Sequence, residues 1–208
     1  MTDRFIYLYD PLCGWCYGAS ANMSLLASRP GVTVEPLPTG LFARPEGPLS
    51  EQMAQHIWTS DQRIAEATGA VFSERYHELL AQRSPLDSTL ATQALTAVSI
   101  HAPQRELEIL SVIQSARYVD GRDVTDLRVV INLLKAADLG EAANTLTAAG
   151  PALASANAAR LLKANDLLDQ AQARGVPTVL RETGQGLALV DTRAVYSDPL
   201  SLLTEAVG

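Results

Sequence analysis

Apolar and polar positions change rhythm twice along this chain, from a period of two to a helical period and back. Arg4-Phe5-Ile6-Tyr7-Leu8-Tyr9 is an aromatic and β-branched run that predicts a strand. Asp10-Pro11-Leu12 breaks the run, and residues 13–27 read as a helix. Arg29-Pro30-Gly31 stops that helix, and residues 32–37 read as a second strand. A strand, a helix and a strand with short connections make a βαβ unit with a right-handed crossover. The stretch 39–48 is rich in Pro and Gly and predicts a linker, with Arg44 as a solvated charge within it.

From Leu49 to about Ala149 nothing in the pattern resembles a strand. Helices are predicted over 50–68, 73–83, 88–101, 103–119, 124–137 and 141–149. Met53, Ile57, Ile64 and Ala67 give the first its apolar face and Gly69 its stop, while Asp123 is the cap expected for the fifth. A further Ala- and Leu-rich helix covers 152–173. Strands over 177–181 and 187–191 then flank a hairpin turn at 182–186. Asp198 and Pro199 fit the cap and first position of a last amphipathic helix. The order is β-α-β, helical block, α-β-β-α. It predicts an α/β domain from residues 1–44 and 150–208, with an all-helical domain of 45–149 inserted.

Composition narrows the function classes. At 208 residues and 47% hydrophobic the chain can bury a real core, and 19% charged residues suit a folded globular protein. A net charge of −7, with Lys135 and Lys163 the only lysines and no basic run, argues against a nucleic-acid or anionic-membrane surface. No basic, apolar and small-residue sequence of a secretory signal opens the chain, and the apolar runs are short. The expectation is a cytoplasmic protein.

Both cysteines fall in one Cys13-Gly14-Trp15-Cys16 motif. It lies in the strand-to-helix turn, where free N–H groups and the helix dipole favour a thiolate on Cys13. Thiol–disulfide exchange needs an ionised sulfur that attacks and a second that resolves the mixed disulfide. Cys13, first in the turn and nearest solvent, suits attack; Cys16, one turn further in, suits resolution. In a reducing compartment the resting pair would be a dithiol. Two other readings stay open: a zinc site and a pair of inert buried thiols. Zinc needs about four ligands, and His56, His77 and His101 stand at no ligand-like spacing. Gly14 leaves the backbone free to approach a substrate, and Trp15 brings apolar bulk without positive charge. With Asp10 nearby, the Cys13 thiol is expected to titrate near about 7 rather than about 4.

The segment from Tyr7 to Ala19, with Gly40-Leu41, Trp58, Thr68-Gly69, Phe72 and Arg174-Gly175-Val176-Pro177-Thr178, resembles the DsbA-like branch of the thioredoxin superfamily. It is similar to that branch's cytosolic protein-disulfide isomerases with a CGWC motif. The resemblance implies a thioredoxin-like fold and a thiol–disulfide oxidoreductase of reductase or isomerase type, acting on protein or peptide disulfides. It implies no resident cofactor or metal, with glutathione or a thioredoxin system as redox partner. It also implies a cis Val176–Pro177 bond packed against the pair, with Gly14, Trp15, Val176, Pro177 and Thr178 contacting the substrate. One departure stands out. The family's usual buried carboxylate on the first strand is Tyr7 here, and a phenol is a poor base at neutral pH. Tyr9 and Tyr17 read as packing or groove residues, Trp58 as an anchor of the helical core, and the histidines as surface residues. Two alternatives remain: a glutathione-dependent enzyme like the kappa-type transferases and chromene-carboxylate isomerases, and a non-catalytic adaptor.

Overall fold

Strand β1 (Asp3–Tyr9) is buried on both faces from Phe5 onward, because helices pack against each side of the sheet. The computed structural model describes residues 3–43 and 47–203, so Arg44 lies outside the described residues. β1 pairs in parallel with β2 (Val32–Pro38) through the crossover helix α1 (Gly14–Ala27), in register from Asp3 opposite Val32 to Tyr9 opposite Pro38. On its other side β1 runs antiparallel to β3 (Thr178–Thr183), which forms a hairpin with β4 (Gly186–Leu189). The order is β2-β1-β3-β4.

Between β2 and β3, among the described residues, lie seven further α-helices: α2 (Glu51–Thr68), α3 (Glu74–Ala81), α4 (Thr89–His101), α5 (Glu106–Tyr118), α6 (Leu127–Ala136), α7 (Gly140–Ala148) and α8 (Pro151–Gln170). The sequence therefore foresees the number and order of helices in the block. Local hydrogen bonding adjusts their ends. Ser50 and Ser73 accept from the N–H groups of Met53 and Tyr76 and so start α2 and α3. Gly69 ends α2 with φ of 75°, a left-handed conformation that suits glycine. Pro103–Arg105 forms a 3-10 turn ahead of α5. The expected cap Asp123 instead closes a turn on Thr125, and Asp126 caps α6.

The C-terminal expectation needs correction. Asp191, not Asp198, opens the last α-helix, α9 (Thr192–Ser197), and Asp198 ends it. Val195 is fully buried in the core and anchors the helix there. Asp198 still accepts from Leu200 N–H, but only a 3-10 turn, Ser201–Leu203, follows within the described residues.

The alternation of β1 sorts the core. Phe5, Tyr7 and Tyr9 face α1 and the helical block, joining one continuous cluster with Leu95, Ile109 and Leu134. Ile6 and Leu8 face the opposite way, onto Ala164 and Leu167 of α8. Each such large apolar side chain, fully buried, contributes about 1.5–3 kcal/mol relative to exposure. A polar tie crosses these layers. Arg160 of α8 donates to Glu106 and, at 2.8 Å, to the Pro36 carbonyl, while Tyr9 donates to Glu106 at 3.1 Å. Tyr9 thus packs and also bonds a buried carboxylate. Burial holds the Glu106 carboxyl up at about 7, against the pull of Arg160.

A smaller cluster, Ile64, Phe72, Tyr76, Leu79 and Tyr118 among its members, joins α2, α3 and α5. Trp58 is only half-buried at its margin and stacks on His77, so it is not the core anchor its size suggested.

Candidate active site

Asp10 builds the turn that presents the cysteines. Its carboxylate accepts from Leu12 N–H at 2.9 Å, from Phe42 N–H at 3.0 Å and from the Ser88 hydroxyl at 2.8 Å. One side chain therefore ties the end of β1 to the loop after β2 and to the start of α4. Burial raises the Asp10 carboxyl, and these three bonds oppose the rise. The Asp10 carbonyl accepts from Cys13 N–H at 3.2 Å, which leaves Cys13 as the N-cap of α1 with extended backbone.

The two thiols are free and unequal. Cys13 is 7% exposed and Cys16 fully buried, so the order of access is the expected one, but Cys13 is far more enclosed than a turn position suggests. The Cys16 thiol donates to the Cys13 sulfur and lowers the Cys13 pKa; burial opposes this, and the N–H groups of Cys16 and Trp15 reinforce it. Asp10 pushes the other way. Burial drives the Cys16 thiol well up, and its bond to Cys13 adds to the rise. Cys13 also lies 3.7 Å from the Val176 carbonyl, to which its thiol donates.

That carbonyl precedes a cis Val176–Pro177 bond, so the late loop and the motif meet as expected. Thr178 behaves differently from expectation. It is buried, and its hydroxyl donates back to the Gly175 carbonyl at 2.7 Å while its backbone pairs with Leu8. Its side chain thus braces the loop. Trp15 is 41% exposed and stands edge-on to Tyr196 at 5.4 Å.

Three tyrosine hydroxyls reach carbonyls of the redox turn. Tyr118 donates to Leu12 at 2.7 Å, Tyr7 to Cys16 at 3.1 Å, and Tyr196 to Trp15 at 3.3 Å. Tyr7 therefore spends its proton on a backbone carbonyl, and burial raises its pKa well above 10. It is no base for Cys16. Tyr17 stacks on Tyr118 and donates to Val71, a packing role.

Gly14 has a different reason for being glycine than substrate access. Ideal Cβ atoms at Gly14 and Gly18 would run into α2: Asp61 Oδ1 already holds the space beside Gly14, with Ile64 Cδ1 2.9 Å from the same point. Gly18, one turn on, meets Thr68 at 3.0 Å. The two glycines form a shallow face of α1 against which α2 docks. Asp61 is the buried neighbour of the motif that sequence reasoning missed. A signal was present: Asp61 sits between Ile57 and Ile64 on the apolar stripe of α2. Burial holds its carboxyl up at about 6, despite a 2.8 Å hydrogen bond from Tyr76 and the nearby Arg117 charge.

His56 and His101 are exposed, His77 is half-buried against Trp58, and His101 bonds Thr145. No group of three or more His, Cys, Asp or Glu side chains suited to a metal ion assembles among the described residues. Among those residues, no helix is long and apolar enough to cross a membrane.

No protein-family model matches the chain, and no curated protein matches it. Solved structures do. The cytosolic disulfide reductase DsbM from Pseudomonas aeruginosa is 29% identical, with a TM-score of 0.85 over 97% of this chain and 95% of that one. Its structure with GSH matches at a TM-score of 0.83 and 29% identity, over 97% and 96%. A candidate protein disulfide isomerase from Nitrosomonas europaea shares the fold at 21% identity, with a TM-score of 0.78 over 99% and 100%. The structural neighbours are DsbA-family thiol–disulfide oxidoreductases, and the α/β thioredoxin-like fold is the one they share with this chain.

Proposed function

We infer that this chain, a thiol–disulfide oxidoreductase of DsbA-like fold, works in the reducing direction on protein or peptide disulfides in the cytoplasm, with glutathione as electron donor. The observation that carries the exchange chemistry is the inequality of the pair: Cys13 is the more accessible sulfur and is drawn toward the thiolate, while Cys16 is fully buried and held firmly as the thiol. The neighbour that is a cytosolic disulfide reductase, also solved with GSH, supports both the direction and the donor.

In the proposed sequence the Cys13 thiolate attacks one sulfur of a substrate disulfide. A mixed disulfide forms on Cys13 and the first substrate thiolate leaves. Cys16 then attacks the Cys13 sulfur, its proton passing to the departing second thiolate, so that no separate base is required at Tyr7. The substrate gains two electrons and the Cys13–Cys16 disulfide closes. Two glutathione thiols return the pair to the dithiol and leave as glutathione disulfide. Backbone groups at Val176, beside cis Pro177 and the braced Thr178, and the exposed face of Trp15 offer an extended peptide its first contacts.

The test is redox equilibration of the purified protein with glutathione buffers. A potential close to thioredoxin's, about −270 mV, is expected; one near the about −120 mV of a strong oxidant would overturn the reducing direction.

A further inference from the structure

Asp61 is a buried carboxylate that the exchange chemistry does not use, yet it comes from the helical block to lie on the redox motif itself. Its Oδ1 occupies the space beside Gly14, the first residue of α1 and the one after Cys13. Its Oδ2 accepts from Tyr76 of α3 at 2.8 Å. Beyond Tyr76 lies Arg117 of α5, fully buried, with its guanidinium 5.5 Å from the Tyr76 ring centroid. The three Arg117 nitrogens find no hydrogen-bond partner among the described residues. Its charge is answered by the ring face and, past it, by Asp61. The carboxylate is thus held in place by a buried cation behind it and a glycine in front.

We propose that Asp61 is a positioning residue of the redox pair: its negative charge, seated over Gly14 at the first turn of α1, opposes the Cys13 thiolate and holds the couple on the reducing side. The inference rests on Cys13 being the exchanging thiol. Cys13 already receives a hydrogen bond from Cys16 and the dipole of α1, both of which favour the thiolate. A carboxylate at the same helix end offsets the second of these. The sequence of the motif follows from this arrangement, because any side chain at position 14 would displace Asp61. Groups facing the carboxylate are Tyr76 from α3, Arg117 and Tyr118 from α5, and the start of α1; Asp10 adds a second negative charge near Cys13. Burial leaves Asp61 titrating at about 6, so at neutral pH the charge is mostly present.

The experiment compares full-length wild type, Asp61→Asn and Ile64→Ala. Asp61→Asn keeps the shape and an acceptor for Tyr76 while removing the charge. It should shift the equilibrium with glutathione at least tenfold toward the dithiol, making the potential more oxidising by about 30 mV. The Cys13 thiolate, followed by ultraviolet absorbance, should form at lower pH. Ile64→Ala loosens the same contact without touching charge and should leave both readouts in place. If Asp61→Asn is folded and its potential is unchanged, or if Ile64→Ala moves the potential equally, the proposal fails. If the wild type itself exchanges no disulfide, the functional reading fails instead, so the two outcomes are separate.

Discussion

The redox pair stands between two unlike walls. The sheet wall, β1 with the Val176–Pro177 loop and β3, surrounds the thiols with neutral groups: the Val176 carbonyl beside Cys13, the Tyr7 hydroxyl bonded to the Cys16 carbonyl, and the Thr178 hydroxyl turned back into its own loop. The helical wall, α2 with α3 and α5, brings Asp61, Tyr76 and Arg117 into a buried cluster against Gly14. One wall fixes geometry with groups that do not titrate near neutrality. The other carries charge whose state changes with pH. A thioredoxin-like sheet can therefore keep its exchange geometry while the helical block adjusts how reducing the pair is.

The largest effect expected from this contrast is on stability. Burial raises the carboxyls of Asp61 to about 6 and of Glu106 to about 7, above their unfolded values. The folded state then binds protons that the unfolded state has released, so stability is greatest below about pH 4.5 for these two groups and is lost as pH rises through 6 and 7. Chemical denaturation at pH 5 and pH 8 should show a loss on the order of 3 kcal/mol on going to the higher pH, with Asp61→Asn removing part of it. The surface carboxylates lowered by Arg partners, such as Asp126 and Asp191, act only at more acid pH and are well solvated. A stability that rises from pH 5 to 8 would show that the helical wall is not electrically strained.

Gly14→Ala addresses the same wall by shape. The added methyl must push Asp61 and Ile64 aside, and overpacking of this size costs about 1–3 kcal/mol. Urea unfolding should report a lower midpoint with an unchanged slope. A neutral result would mean that α2 sits less tightly on α1 than the contact at Gly14 indicates.

The sheet wall was legible in the sequence because its signals are local. Strand alternation placed Phe5, Tyr7 and Tyr9 on one face, Asp10-Pro11 ended the strand, and the C-x-x-C fell at the start of a helix. The helical wall was legible only as helices. That α2 crosses α1 at Gly14 depends on a contact between segments some 47 positions apart, read from Gly14 to Asp61, and no local period encodes it. The carboxylate within an apolar stripe was the one trace of it. The C-terminal misreading has a similar origin: Asp191 and Asp198 are both good caps, and burial of Val195, a tertiary fact, decides which one opens the α-helix.

The asymmetry of the two thiols is the centre of the account, and trapping tests it most directly. Cys16→Ser and Cys13→Ser are each incubated with glutathione disulfide and examined by intact-protein mass spectrometry. Cys16→Ser should accumulate one glutathione on Cys13, while Cys13→Ser should stay unmodified over the same time, because Cys16 is fully buried and held as the thiol. Equal labelling of both variants, or labelling of Cys13→Ser alone, would contradict the assignment of Cys13 as the attacking sulfur.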